Sequence, residues 1–268
     1  MCPNSVKQKF AHLKANDSKW QRCFRIIGLL AIGTISGAVV QAHAATTDGV
    51  TACAVQGAVT VTVAGIPTTV PVSCLNEAQQ TSPGSTDQAT ANVSTPTLLG
   101  LPSLASIDAP DSKVSLASSA GGLTLTGATT ASNVALVSGL VNARDVQETL
   151  SCVVTSGGST PTCQSSTTIG SLTLGGQAQI LPTPIPQNYT LPLQGNITVE
   201  VLGQPTTLGV SGNVVLNEMK ISAVNYGEKT QHDLIHASLH GQATALGVGL
   251  VDVNIDLDDV VTVYPYEY

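Results

Sequence analysis

The chain has 268 residues, a formal net charge of −7, and aromatic side chains at only 3% of its positions. A negatively charged chain repels phosphate backbones, so nucleic acid is a poor partner. Scarce aromatic residues also argue against the stacking platforms on which bases and sugars bind.

The first 44 residues predict a secretory signal peptide. A basic stretch precedes the apolar run IIGLLAIGTISGAVV at 26–40, and Ala42-His43-Ala44 is a small-x-small cleavage pattern. A retained membrane anchor is the alternative, although a spanning helix needs ~20 apolar residues. Residues 50–53, VTAC, resemble a lipobox but lie well past the apolar run. Cleavage after Ala44 predicts an exported protein, extracellular, periplasmic or at the cell surface, with no transmembrane helix in the mature chain.

The predicted mature chain is more acidic than the whole, with four basic residues against sixteen carboxylates and a net charge of −12. Its aromatic residues are five tyrosines. A chain of this length can bury a substantial core, which must consist of Val, Leu, Ile and Ala. We expect cell-surface or extracellular matrix components as partners, and no nucleic acid.

Four cysteines follow the predicted leader, and an even count in an exported chain predicts disulfides. Zinc ligation would need a CxxC-like spacing, which is absent. Three pairings are open. The stretch CVVTSGGSTPTC is nearly symmetric about its central glycines, so a hairpin loop at 156–159 would set Cys152 opposite Cys163. Cys53 and Cys74 would then bracket a longer hairpin.

Short alternating runs, such as VTVTV at 59–63 and VDVNIDL at 251–257, predict β-strands. Residues 57–73 and 195–211 match at ten of 17 positions without a gap, and the tripeptide LNE follows each copy. Each copy predicts a strand, a turn at Gly-x-Pro and a second strand. The expected fold is all-β, an antiparallel sandwich-like architecture with a duplicated hairpin, two disulfides and very little helix outside the signal peptide.

The composition of the mature chain predicts three parts. Residues 45–77 form an N-terminal β-hairpin element that contains the first repeat copy. Residues 78–113 are rich in Ser, Thr and Pro and lack hydrophobic periodicity, which predicts a loop or linker. Residues 114–268 form the main β domain, with the second copy at 195–218.

The second half contains the stretch ASNVALVSGLVNARDVQETLSC at 131–152, followed by TIGSLTLGGQ, QNYTLPLQG, VLNE and LIHASL. These motifs and their order resemble the choice-of-anchor P family of exported proteins. The resemblance covers residues 120–258 and implies a surface-associated, β-rich protein with no assigned activity. Within it, only His236 aligns with a recurrent histidine of that family.

The stretch HDLIHASLH repeats histidine at every fourth residue: His232, His236 and His240. As a helix, it would stack three imidazoles ~6 Å apart, within reach of one zinc ion. As a strand, it would separate successive histidines by ~13 Å, too far to share an ion, with the odd-numbered residues from 235 to 239 facing the core. Asp233 also stands where the HExxH metalloprotease motif requires Glu.

The run VDVNIDLDD offers a second candidate metal site. Alternate residues of a strand share one face, and hard oxygen ligands there suit calcium if a neighbouring loop adds more. The spacing is not that of an EF-hand, since Leu257 stands where Gly is required. A solvated strand face is the alternative. The candidate ligands are Asp252, Asn254, Asp256, Asp258 and Asp259.

The chain contains no nucleophile elbow, GxGxxG fingerprint or Walker pattern. We therefore expect a secreted or cell-surface structural or interaction protein that is not an enzyme and needs no cofactor. The alternative is a metal-dependent binding protein or hydrolase, using zinc or calcium at the histidine cluster or the acidic run.

Overall fold

The structure is a computed structural model, in which residues 46–268 cluster as one compact unit. The predicted signal peptide at 1–44 lies outside the described residues. Those residues are 49–96, 103–156, 160–201, 204–224, 227–245 and 249–263.

The regular structure within these ranges consists of antiparallel β-strands in two sheets, as the sequence predicts. The strands of sheet A are β1 (Val50–Val63), β2 (Ile66–Leu75), β3 (Ala78–Gln80), β12 (Tyr189–Val201), β13 (Gln204–Val224), β14 (Gly227–Ala245) and β15 (Gly249–Val263). Their order is β12-β13-β14-β15-β1-β2, and β3 also pairs with β1.

Sheet B comes from the middle of the chain. Its strands are β4 (Gly84–Ala89), β5 (Asn92–Ser94), β6 (Ala105–Asp108), β7 (Asp111–Ser119), β8 (Gly122–Leu136), β9 (Val141–Thr155), β10 (Thr162–Leu174) and β11 (Gln177–Gln179). The main order is β11-β10-β9-β8-β6-β5. The strand β7 pairs with β8 beside β6, and β4 pairs with β7.

Two hydrophobic clusters fill the space between the sheets. The larger cluster joins residues such as Leu208 of sheet A to Leu172 of sheet B. The smaller cluster joins Val50 of sheet A to Leu125 of sheet B. Because each cluster takes buried side chains from both sheets, the two sheets form the sandwich that the alternating pattern predicts.

The two repeat copies form hairpins with the same register. In the first copy Val59 pairs with Val70, and in the second Ile197 pairs with Leu208, which are equivalent positions of the repeat. The duplicated hairpin is therefore confirmed.

The turn of the first hairpin lies one residue earlier than the predicted Gly-x-Pro turn. Ala64 and Gly65 connect the strands, with φ angles of 51° and 82°. Two left-handed residues in a two-residue loop match the twist of the flanking strands. Pro67 lies within β2, an edge strand, where a residue without an N–H is tolerated.

The two disulfides pair as the local pattern favours. Cys152 and Cys163 are direct cross-strand partners of β9 and β10, and their sulfurs are bonded. Cys53 in β1 is bonded to Cys74 near the end of β2. This bond also removes Cys53 from consideration as a lipidated cysteine, because its sulfur is already in use.

Residues 78–113 contain β3, β4, β5, β6 and the start of β7, where a loop or linker was predicted. These strands are mostly only three to six residues long, which is too short to show a period of two. Their outward positions carry Ser, Thr, Asp and Gln, the residues that also dominate loops. The hairpin at 45–77 does not stand apart either, since β1 pairs with β15 in the middle of sheet A.

Candidate functional site

The three candidate histidines all lie on β14, but they do not share a face. The register between β14 and β15 shifts by one residue between His232 and His236, which marks a β-bulge. Consecutive residues Leu234 and Ile235 consequently both join the larger hydrophobic cluster. His232 lies before the bulge and faces inward, whereas His236 and His240 lie after it and face outward.

The inward histidine meets a carboxylate of the opposite sheet. Nδ1 of His232 lies 2.7 Å from Oε1 of Glu148, and both side chains are fully buried. On β9, Glu148 stands between Val146 of the larger hydrophobic cluster and Leu150 of the smaller one. The pair therefore forms a polar bridge at the boundary of the two clusters, hereafter the His232–Glu148 bridge.

The hydrogen bonds of this bridge constrain which of its atoms carry protons. The side-chain amide of Asn217 donates to the carbonyl of Ile185 at 2.9 Å, so its Oδ1 accepts from Nε2 of His232 at 2.7 Å. Burial lowers the pKa of His232 to about 4, despite the nearby charge of Asp233. Nε2 of His232 therefore carries a proton, one further proton lies between Nδ1 and Oε1 of Glu148, and burial disfavours the charged imidazole.

The same asparagine belongs to the LNE tripeptide of the second repeat copy, and its equivalent in the first copy behaves alike. Asn217 and Asn76 both have left-handed backbones, with φ of 54° and 57°. Asn76 donates to the carbonyl of Gln88 and to Ser112 in sheet B, and Asn217 accepts from Thr167 in sheet B. Each repeat copy therefore supplies one asparagine that ties sheet A to sheet B.

On the outer side of β13 and β14, four charged or titratable side chains meet in what we name the Lys220 cluster: Glu218, Lys220, Asp233 and His236. Nζ of Lys220 lies 2.8 Å from Oδ2 of Asp233 and 2.9 Å from Oε2 of Glu218. Nδ1 of His236 lies 2.5 Å from that same Glu218 oxygen and 3.3 Å from Nζ. A carboxylate can only accept, so His236 donates to Glu218.

Burial and hydrogen bonding oppose each other within the Lys220 cluster. Burial raises the pKa of Asp233, and hydrogen bonds from Lys220 and Gln231 offset this only in part. Burial also disfavours the charged forms of Glu218 and Lys220, but their hydrogen bonds outweigh it. The pKa of Glu218 is therefore lowered and that of Lys220 is raised.

The donor set of the Lys220 cluster resembles a metal site in composition. One ligand atom each from Glu218, Asp233 and His236 lies within 4.8 Å of the others. However, the ammonium of Lys220 already contacts both carboxylates. A divalent cation would have to displace this ammonium, so lysine itself acts as the cation of the cluster.

The third histidine and the acidic run meet on the outer face of sheet A. His240 and Asn254 are register partners on β14 and β15, and Nδ1 of His240 lies 2.9 Å from Oδ1 of Asn254. The backbone register also places His236 opposite Asp258. The side chains of four predicted calcium ligands lie outside the described ones: Asp252, Asp256, Asp258 and Asp259.

The structure brings His236 into a charged cluster with three residues that the sequence analysis did not select as ligands. Glu218 is the last residue of the repeated LNE and Lys220 lies two residues further on, and that repetition was the available signal. Glu148 occupies an inward position between Val146 and Leu150, so a carboxylate in the apolar phase of a strand was a second signal.

Comparisons of the chain with protein-family models, with curated proteins and with solved structures found no match. No helix among the described residues is long and apolar enough to cross a membrane. Fold and site define a disulfide-bonded antiparallel β-sandwich with a buried polar bridge between its sheets and a charged cluster on its outer face.

Proposed function

We propose that the protein is an exported structural or interaction component of the cell surface or the extracellular matrix, and that it acts without catalysis or a cofactor. The observation that carries this proposal is that all four cysteines after residue 44 are paired in disulfides. Such bonds persist in oxidising compartments and are reduced in the cytosol.

The positions of the two disulfides support a role that depends on durability. One joins β1 to β2 in sheet A, and the other joins β9 to β10 in sheet B. Each sheet therefore has one hairpin closed by a disulfide. Such a bond lowers the conformational entropy of the unfolded chain and so stabilises the fold. The resemblance to the choice-of-anchor P family points to the same compartment.

The outer strand faces suit contact with other surface components. Thr60 and Thr69 form a cross-strand hydroxyl pair at 2.8 Å on the outside of sheet A. On sheet B, Asn133 donates to Asp108 at 3.0 Å beside exposed Arg144. These small polar side chains offer hydrogen bonds to a partner at little desolvation cost.

The test compares the full chain with residues 45–268 expressed without the leader in the same bacterial host. We expect the full chain to leave the cytoplasm, to begin at residue 45, and to resist thiol alkylation unless it is reduced. The shortened chain should remain in the cytoplasm with reactive thiols. A full chain that stays in the cytoplasm with its first 44 residues attached would overturn the proposal.

A further inference from the structure

The Lys220 cluster places an amine beside a buried carboxyl group on a neighbouring strand. Nζ of Lys220 lies 2.8 Å from Oδ2 of Asp233, so the amine is hydrogen-bonded to the carboxyl group whose carbon it would attack. The Asp233 side chain is fully buried, and Lys220 is 38% exposed. This is the arrangement in which an amine can attack a carboxyl carbon, with both groups held by the sheet.

We propose that Lys220 and Asp233 condense into an amide, forming a covalent cross-link between β13 and β14, with Glu218 as the proton carrier. The Nζ–Cγ bond forms and one Cγ–O bond of Asp233 breaks. The ammonium gives up two protons, and both end on the departing oxygen, which leaves as one water molecule. The reaction needs no oxidant or reductant, and Glu218 ends as the carboxylate it was at the start.

Each proton transfer has a partner at hydrogen-bond distance. Oε2 of Glu218 lies 2.9 Å from Nζ, where it can accept the ammonium proton and pass it on. His236 donates to that same Glu218 oxygen and holds it in place. Nε2 of Gln231 donates to Oδ1 of Asp233 at 2.9 Å, which stabilises the negative charge that develops on this oxygen during the attack.

Burial gives the reaction its direction. An ion pair that includes a fully buried carboxylate carries a desolvation cost, and a neutral amide in the same place does not. Burial also raises the pKa of Asp233, which favours transfer of the first ammonium proton to this carboxyl group and so prepares its oxygen to leave as water. The raised pKa of Lys220 means that attack begins from an ammonium, so the step is slow. It has to occur only once in each molecule.

A second lysine in the described chain provides an internal control. Lys113 lies 2.5 Å from Asp111 and 3.6 Å from Asp87, so it also has two carboxylates nearby. These three side chains are all partly exposed to solvent, whereas Asp233 is fully buried. Water already screens the charges at Lys113, so we expect it to keep a free amine.

The test is the intact mass of the full chain, purified oxidised and then reduced. We expect a mass lower by one water molecule than the reduced sequence requires. Trypsin should then cut after Lys113 and Lys229 but not after Lys220. The peptide that ends at Lys229 should remain joined to the C-terminal peptide that contains Asp233, even after reduction.

Three variants separate the cross-link from other causes. Lys220→Arg keeps the positive charge but should show no mass loss. Asp233→Asn should lose ammonia in place of water and give the same cross-link, which also shows that it folds. Glu218→Gln should retain the full mass, because no carrier remains for the protons. Cross-linking in that variant would overturn the role given to Glu218.

A wild-type chain with its full mass, cut by trypsin after Lys220, would overturn the proposal outright. The inference goes beyond the proposed function and does not depend on it, because condensation requires the folded sheet and not export. The intact mass tests the cross-link, whereas the compartment and the thiol state test the proposed function.

Discussion

Nδ1 of His232 and Oε1 of Glu148 lie 2.7 Å apart although their strands, β14 and β9, belong to opposite sheets. Thr129 donates to the other Glu148 oxygen at 3.1 Å, and Asn217 accepts from the other imidazole nitrogen at 2.7 Å. Each polar atom of the bridge is thus hydrogen-bonded. A satisfied polar contact inside an apolar sandwich fixes how the two sheets align.

Replacing one partner of this bridge should destabilise the protein more than replacing both. Glu148→Leu leaves one nitrogen of the buried imidazole without its partner, and we expect a loss of about 1–3 kcal/mol in the free energy of unfolding. Glu148→Leu combined with His232→Leu should recover most of this loss, because no unpaired polar group then remains at that contact. Urea unfolding of the oxidised proteins measures both. Additive losses in the double variant would contradict the pairing.

The pH dependence of stability should reveal the neutral imidazole. In Glu148→Gln, the glutamine amide can still donate to Nδ1 of His232 but does not titrate. His232 is then the only titratable group of this pair. The pKa of His232 is about 4 in the fold against 6.5 for the free side chain. As the pH falls below 6.5, His232 binds a proton in the unfolded chain but stays neutral in the folded chain. The free energy of unfolding should therefore fall by about 3 kcal/mol as the pH approaches 4.

The wild-type protein is the control for this pH profile. One titratable proton lies between His232 and Glu148 in the folded state, and the unfolded chain also holds one at a pH between the ordinary pKa values of Glu and His. Folding then exchanges no proton at this pair within that window, and the wild-type profile should be flatter. Equal slopes in the two proteins would contradict a proton held between His232 and Glu148 in the fold.

Zinc should not stabilise the wild-type protein, because Lys220 occupies the centre of the Lys220 cluster. Lys220→Ala removes the ammonium and leaves Glu218, Asp233 and His236 with ligand atoms within 4.8 Å of one another. At a hundred times its dissociation constant, zinc should then add about 2.7 kcal/mol and raise the melting temperature. Adding His236→Gln should abolish the shift. A zinc shift in the wild type would contradict the occupation of this site by Lys220.

The first hairpin turn can be stabilised at Ala64. Its φ of 51° is a conformation that costs a side chain with a Cβ about 1 kcal/mol, and that Asn adopts more readily. Ala64→Asn should raise the free energy of unfolding by about 0.5–1 kcal/mol. Gly65→Ala is the matched control and should lower it, although its added methyl meets nothing within 4 Å. Thermal melts of both variants measure these changes. An Ala64→Asn variant as stable as the wild type would contradict backbone strain at this turn.

The features that the sequence predicts correctly are those with a local cause. The near-symmetry of residues 152–163 is enough to set Cys152 opposite Cys163. The repeated hairpin carries the same turn spacing in both copies, so its register follows from the pattern of residues alone. Period-two alternation and turn chemistry act within a few residues of the chain.

The features that the sequence did not predict depend on strands that are distant in the chain. A regular strand would place His232, His236 and His240 on one face. The bulge in β14 turns His232 inward, and its position is set by pairing with β15. The partners of His232 and His236 follow from this geometry. Glu148 lies in the opposite sheet and meets His232, whereas Glu218 lies on a neighbouring strand and meets His236.

The pairing of β1 with β15 has a consequence for the nascent chain. Val50 pairs with Val263, so the middle of sheet A joins the first described strand to the last. Contacts between such distant segments form slowly, because a long loop must close before they do. The central pairing of sheet A therefore cannot form until β15 has left the ribosome, and β1 waits without this partner until then.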